Sequence, residues 1–258
     1  MKIVVLLKMV PDVVEELEVA SDGKSLDAEF LRMILSERDS HALEEGLLLK
    51  ERQGGTLVVV APDAPEVDNE LYTALAKGAD RAVKILSNGP TSTRGMAALL
   101  SKALPSVPDL LPADLILTGC QAIDDLDGMT APLLAHGLRL PYLGLVTGIS
   151  VNTGNMSARL TKEYSGGTHG EFEVPLPAVL GVQAAQEPPR YVPVAKVRAA
   201  MKMQKIETVE LQDSAAEPSV EILTMAKPEA AGHAEMLEGS PEQVTEKIGE
   251  ILTARGVV

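Results

Sequence analysis

Short apolar segments alternate with amphipathic helical segments through the first two-thirds of this chain of 258 residues. The apolar segments predict strands at residues 3–7, 56–61, 81–86 and 115–117. The segments between and after them predict helices at residues 39–53, 65–77, 91–104 and 129–138. Apolar strands that alternate with helices are typical of a parallel sheet covered on both faces. The chain is therefore predicted to form an α/β fold around an open, mainly parallel sheet, a Rossmann-like arrangement.

The pattern changes after this α/β part, where strand signals follow one another without intervening helices. These strands are predicted at residues 143–151, 157–163, 171–174 and 178–182. They indicate a β-hairpin extension. Ser165-Gly166-Gly167 lies between two of the strands, and we interpret it as a tight turn. A phosphate-binding loop is disfavoured there, because such a loop should follow the first strand and precede a helix.

The last quarter of the chain differs again. Prolines, a basic cluster at residues 190–205 and the polar stretch 213–218 predict an extended arm with few core contacts. Ser240 and Pro241 then start a helix whose apolar face must be buried by its own body or by a partner chain. We therefore divide the chain into an α/β domain at residues 1–185 and an arm with a C-terminal helix at residues 186–258.

Composition excludes several classes of function. The net charge of −14 disfavours nucleic acid and anionic membranes, and an aromatic content of 2% provides few platforms for stacked bases. No segment is long enough to span a membrane, and residues 1–8 are typical of a first strand, not of a targeting signal. The single cysteine, Cys120, excludes an internal disulfide framework and fits a cytoplasmic location. We expect Cys120 to be a small buried residue.

The segment 113–130 carries the strongest functional signal. A short strand runs into Thr118-Gly119-Cys120-Gln121, then into a turn rich in Asp and Gly, and then into a helix. Ligands of open α/β sheets bind at the carboxyl ends of strands, and helix N-termini favour phosphate. Asp124, Asp125 and Asp127 either hold Mg²⁺ beside that phosphate or favour the turn and the helix cap. The turn and cap are the favoured interpretation, although both stay open.

Other sites receive little support. The sequence has neither a Gly-x-Gly-x-x-Gly motif after the first strand nor a Walker A lysine loop. His41, His136, His169 and His233 are scattered without the spacing of metal ligands. Nothing argues for covalent catalysis.

Six ordered blocks resemble the β subunit of electron transfer flavoproteins. They are Lys8 with Pro11-Asp12, residues 42–45, residues 73–81, residues 114–119 with 121–124, residues 176–179 with 187–191, and residues 237–242. The resemblance implies an adenine-nucleotide-binding α/β domain that pairs with an α subunit as a heterodimer. It implies a shared FAD, and AMP or a second FAD in the β subunit. It also implies electron transfer from dehydrogenases to a downstream acceptor, by a carrier subunit that is not a catalyst on its own.

The resemblance also implies site residues. Those expected at the nucleotides are Leu6, Ser36, Glu37, Arg38, Asp39, Pro62, Gln121, Ala122, Ile123, Asp124, Asp125, Asp127, Gly128, Met129 and Thr130. Those expected at the partner are Tyr191, Val194, Lys196 and Arg198, with Val194 at the position of the anchoring apolar residue.

The chain departs from the family at several places. The loop at residues 124–130 is shorter than in the family and adds Asp127, whose carboxylate disfavours a nearby phosphate. At the start of the family's second helix, where the family commonly has Asn-Pro, the chain has Ser36-Glu37-Arg38-Asp39, and Arg38 offers compensation by pairing with that phosphate. Val13 stands where some members have an aromatic residue beside the flavin. The alternative function is a stand-alone nucleotide-binding regulatory domain of the same fold, which would need neither the arm nor the C-terminal helix.

Overall fold

The computed structural model describes residues 1–29, 31–86, 92–211, 221–228, 234 and 236–257. Its strands are β1 (Lys2–Leu6), β2 (Met9–Pro11), β3 (Met33–Leu35), β4 (Thr56–Pro62), β5 (Arg81–Leu86), β6 (Leu115–Gly119), β7 (Tyr142–Asn152), β8 (Ser157–Glu163), β9 (His169–Pro175), β10 (Ala178–Val182) and β11 (Glu207–Glu210). Its α-helices are α1 (Glu37–Gln53), α2 (Val67–Lys77), α3 (Thr93–Ser106), α4 (Thr130–Leu138), α5 (Val194–Met203) and α6 (Pro241–Ala254).

One large sheet organises the described residues, in the order β11-β5-β4-β1-β6-β10-β7-β8-β9. Its strands run parallel from β11 to β7, and β8 and β9 continue it in antiparallel pairing. The predicted α/β fold with a mainly parallel sheet is confirmed. The predicted start of the third helix at residue 91 lies outside the described residues.

The core has two layers because successive side chains of a strand point to opposite faces of the sheet. Ile3 and Val5 of β1 pack with Leu43 of α1 and Leu71 of α2 on one face. Val4 and Leu6 pack on the other face among apolar residues of α3 and α4. Helices therefore cover both faces, as predicted.

The hairpin extension differs from its prediction in one strand. β10 does not continue the hairpin but returns to the parallel part of the sheet, between β6 and β7. All five of its residues are buried, as expected for a strand covered on both faces. β8 and β9 form the hairpin, and the predicted turn between them is confirmed, with Gly166 and Gly167 at φ 75° and 73°. β9 is the outermost strand, and most of its residues are exposed.

The segment after residue 185 contains more structure than an extended arm. α5 packs on α2, and β11 extends the sheet beside β5. The prediction failed here because α5 buries only Ala200 and β11 is polar, so neither shows a clear hydrophobic period. The predicted arm at residues 213–218 lies outside the described residues, and the domain boundary at residue 185 stays a prediction.

The C-terminal helix α6 is confirmed, with a capping box between Ser240 and Gln243. None of its residues is buried, and Ile248 and Ile251 of its apolar face are exposed. A membrane-spanning helix is not found in the part of the chain that the structure describes.

Candidate functional site

A cleft opens at the carboxyl ends of three neighbouring strands, β1, β4 and β6. It encloses about 460 Å³, part of it open to solvent. Its walls come from these strand ends, from α1 and α3, and from the loop between β6 and α4. We call it the nucleotide cleft because residues predicted to contact a nucleotide line it. The residues that line it are Leu6, Leu7, Lys8, Asp39, Pro62, Met96, Leu100, Gly119, Cys120, Gln121, Ala122, Asp125, Gly128 and Thr130.

Asp39 braces the floor of the nucleotide cleft. It lies in the first turn of α1, is buried, and accepts hydrogen bonds from two backbone N–H groups. The N–H of Lys8, just after β1, lies 2.9 Å from Oδ2, and the N–H of Gly119, at the end of β6, lies 2.6 Å from Oδ1. Burial raises the pKa of Asp39 to about 7, although both N–H groups and Lys8 favour the charged form. The carboxylate thus joins the two strand ends to the start of α1.

The raised pKa of Asp39 gives a pH prediction. Between about pH 4 and pH 7 the folded state keeps a proton on Asp39 that the unfolded chain releases, so the free energy of unfolding falls as pH rises through this window. It then levels off above the folded-state pKa. The contribution amounts to at most roughly 1.4 kcal/mol per pH unit.

Urea unfolding of wild type and Asp39→Asn at pH 5, 6, 7 and 8 measures this contribution as a difference of slopes. Asparagine keeps the size of the side chain but cannot titrate, and other titrating groups cancel in the difference. Wild type should lose stability relative to the variant up to about pH 7. Parallel curves for the two proteins would contradict the raised pKa.

Lys8 carries the ammonium group at the edge of the nucleotide cleft and pairs with two carboxylates of the loop. Its Nζ lies 2.7 Å from Oδ1 of Asp124 and 3.0 Å from Oδ2 of Asp125. Burial disfavours the charged ammonium, but the two carboxylates outweigh burial and raise the pKa of Lys8. These two ion pairs therefore connect the loop between β6 and α4 to the end of β1.

The aspartates of the loop also support its turns. Asp125 accepts the N–H of Ala122, and Asp127 accepts the N–H of Met129 and the hydroxyl of Thr93. These bonds agree with the turn interpretation, whereas the start of α4 has no side-chain cap. No group of three or more His, Cys, Asp or Glu side chains is arranged to hold a metal within the described residues.

Two glycines allow the close approach of backbone around the cleft. A Cβ on Gly119 would lie 2.6 Å from Cβ of Arg38 and 2.8 Å from its carbonyl carbon, so α1 could not start against β6. Gly128 has φ 61°, and a Cβ there would lie 2.8 Å from the carbonyl oxygen of Cys120. Cys120 itself is buried, as predicted, and burial raises the pKa of its thiol.

A second cleft lies beside the first, and Gln121 and Ala122 line both. It encloses about 650 Å³, again partly open to solvent. Arg38 lines it, with Nη1 donating to the carbonyl oxygen of Gln183 at 2.8 Å. The other residues that line it are Val10, Pro11, Val13, Ile34, Ser36, Glu37, Ile123 and Leu126.

The predicted nucleotide residues separate into three groups in the structure. Those that line the nucleotide cleft are Leu6, Asp39, Pro62, Gln121, Ala122, Asp125, Gly128 and Thr130. Those that line only the second cleft are Ser36, Glu37, Arg38 and Ile123. Those that line neither cleft are Asp124, Asp127 and Met129. Arg38, the predicted partner of a phosphate, lines the second cleft and not the nucleotide cleft.

Sequence reasoning omitted several cleft residues from the site. Lys8 follows the first strand at its carboxyl end, and this position could have identified it. Met96 and Leu100 of α3 line the cleft but have the spacing of ordinary core residues, so no signal marked them.

The predicted partner residues lie at the start of α5. Tyr191 and Val194 are 83% and 59% exposed, and Lys196 and Arg198 are also exposed. We call residues 191–198 the docking segment. It presents apolar and basic groups together.

Comparison with known proteins gives one consistent family. A model of the electron transfer flavoprotein domain matches residues 27–215. The electron transfer flavoprotein subunit beta of Methylophilus methylotrophus is 30% identical over 98% of this chain and 98% of its own length. The corresponding subunit of Bacillus subtilis is 28% identical over the full length of both chains. That of Syntrophomonas wolfei is 31% identical over 97% of this chain and 95% of its own length.

Proposed function

This chain belongs to the electron transfer flavoprotein family, and from that premise we propose that it is the β half of a heterodimer. With an α subunit it holds FAD and carries electrons between dehydrogenases and a downstream acceptor. The FAD supplies the redox chemistry, and this chain binds, orients and shields it. We further propose a cytoplasmic location, which the single cysteine supports.

We also propose that the nucleotide cleft binds AMP or a second FAD. Leu6, Pro62, Met96 and Leu100 offer an apolar slot for an adenine base. The start of α4 has no side-chain cap, so its free N–H groups are available to a phosphate. Lys8 adds a cationic group, although Asp124 and Asp125 already neutralise it. The residues therefore suit an adenine nucleotide with a phosphate at the helix start.

The second cleft supports a role in holding the shared FAD. Its apolar residues suit a flavin ring, and Arg38 offers a guanidinium group for a polar edge. Val13 of this cleft also stands where some family members place an aromatic residue beside the flavin. We assign Ser36, Glu37, Arg38 and Ile123 to this site.

Helix α6 supports the α subunit as a partner. Its apolar face is not buried by the described residues of this chain, and an exposed apolar helix face requires a cover. This observation also argues against the stand-alone regulatory domain, which has no use for such a face. The docking segment, in turn, offers a surface for dehydrogenases. Its basic residues would attract acidic groups on the surface of the dehydrogenase.

Co-expression with the α subunit tests the proposal. We expect the two chains to copurify as a yellow heterodimer, because FAD is held between them. Denaturing the complex should release one FAD together with one AMP per heterodimer, or two FAD per heterodimer, and mass spectrometry identifies which.

Each chain expressed alone provides the control. A colourless β chain that stays monomeric in the presence of the α subunit would contradict the function. FAD as the single released nucleotide, at one per heterodimer, would contradict only the filled nucleotide cleft.

A further inference from the structure

Three side chains along one side of α1 hold the backbone that leads to the docking segment. We call His41, Glu44 and Glu45 the anchor row. Nδ1 of His41 accepts the N–H of Ala185 at 3.3 Å. Oε2 of Glu45 accepts the N–H of Gln186 at 3.0 Å, and Oε2 of Glu44 accepts the N–H of Arg190 at 2.9 Å. Three side chains on one side of α1 thus bind the N–H groups of residues 185, 186 and 190.

Glu44 also binds the side chain of Arg190. Its Oε1 lies 2.8 Å from Nε and 2.7 Å from Nη2 of the guanidinium group. The Glu44 side chain is 2% exposed and that of Arg190 is 29% exposed, so the carboxylate of this ion pair is buried at the base of the segment while the guanidinium group reaches the surface. Glu51 pairs with the same guanidinium at 2.5 Å, but its side chain is 55% exposed.

Burying carboxylates at Glu44 and Glu45 costs free energy that apolar residues at the same positions would not cost. Neither residue lines the nucleotide cleft or the second cleft. The contact of Glu44 with two nitrogens of the guanidinium group fixes the orientation of that group, whereas a buried carboxylate in an ion pair adds little net stability. The ion pair between Glu44 and Arg190 therefore orients the backbone next to Arg190, and Tyr191 is the next residue along the chain.

We propose that Glu44 is a positioning residue that fixes Arg190 and thereby presents Tyr191 and Val194 to the dehydrogenase. Glu45 and His41 hold the preceding residues in line. This inference rests on the proposed function, because it assumes that the docking segment meets the electron donor. It assigns to α1 a role in partner recognition that is separate from the nucleotide sites.

The test compares Glu44→Gln with Glu51→Gln in the assembled, FAD-containing heterodimer. Each substitution removes one of the two carboxylates that pair with the guanidinium group of Arg190. Glu51→Gln, however, leaves the ion pair with Glu44 and the hydrogen bond from the N–H of Arg190 to Glu44 intact. The probe is the flavin-dependent dehydrogenase that reduces the wild-type heterodimer fastest in a panel of purified dehydrogenases. Reduction rates are measured over a range of heterodimer concentrations.

We expect Glu44→Gln to raise the half-saturating heterodimer concentration about fivefold, with the maximal rate unchanged. Glu51→Gln should change it less than about twofold, as is typical of exposed pairs. Hydrogen exchange of the amides of residues 185–191 should accelerate in Glu44→Gln alone. A merely structural role would lower the content of FAD-loaded heterodimer and leave the half-saturating concentration of the loaded fraction unchanged.

Equal effects of the two glutamine variants would overturn the proposal, as would accelerated exchange without a change in half-saturation. If Glu44→Gln does not assemble, Arg190→Lys serves instead, since lysine keeps the charge but loses the fork that spans two carboxylates. It should also raise the half-saturating concentration. If Val194→Glu is also without effect on the rate, the docking function itself fails. If Val194→Glu slows reduction while Glu44→Gln does not, only the positioning role fails.

Discussion

Replacing Gly119 with valine is expected to empty the nucleotide cleft while the heterodimer still assembles. The added Cβ would lie 2.6 Å from Cβ of Arg38 and 2.7 Å from the carboxylate of Asp39, and backbone of α1 lies almost as near. The start of α1 must therefore move away from β6, and the hydrogen bond from Gly119 to Asp39 breaks. Overpacking of this kind costs roughly 1–3 kcal/mol of unfolding free energy.

Released nucleotides and urea unfolding measure the two effects separately. The FAD of the heterodimer should remain, and the second nucleotide should be absent or strongly reduced. Gly154→Ala is the matched control, because its Cβ would meet only a flexible side-chain atom, at 3.2 Å, in the turn after β7. A Gly119→Val heterodimer that keeps its second nucleotide at the wild-type amount would show that the nucleotide binds elsewhere.

Replacing Val194 with glutamate is expected to slow reduction of the heterodimer by a dehydrogenase about 30-fold, the scale of a hot-spot residue in a protein interface. Val194 is the first residue of α5 and is exposed, and the exposed residues Lys196 and Arg198 follow in the same helix. A carboxylate there removes the apolar contact and repels an acidic partner surface. FAD content and heterodimer assembly should stay at wild-type levels.

Met156→Glu provides the control for this charge change. Met156 is also an exposed apolar residue, 45% accessible, but it lies in the turn before β8. Stopped-flow measurement of flavin reduction at increasing heterodimer concentration distinguishes weak docking from slow electron transfer. Equal reduction rates for wild type and Val194→Glu would show that the docking segment does not bind the dehydrogenase.

Most of the fold could be predicted from the sequence, because the strands and helices that build the core are the ones in which apolar residues recur with a clear period. The predicted bounds of β5, β8 and β10 agree with the structure to the residue. The place of β10 could not be predicted, since an apolar strand carries no information about its neighbours in the sheet. α5 and β11 were missed because surface elements have little apolar pattern to detect.

The candidate site was predictable in part for a related reason. The loop after β6 could be recognised because strand ends and helix starts form ligand sites in this fold class. The brace made by Asp39 depends on backbone N–H groups from two strands distant in the chain. The same holds for Glu44 and Arg190, whose pairing spans more than a hundred residues. Such contacts arise from the three-dimensional arrangement and leave no local signature.

The outer strand β9 bears on the solubility of the isolated subunit. An unpaired strand at the edge of a sheet can pair with the same strand of another molecule and start aggregation. β9 carries Glu171 and Glu173 and ends in Pro175, and all three are exposed. Charges and proline on an edge strand oppose such pairing. The edge of this sheet is therefore protected against self-association by its own sequence, in addition to the repulsion that the net charge of −14 provides.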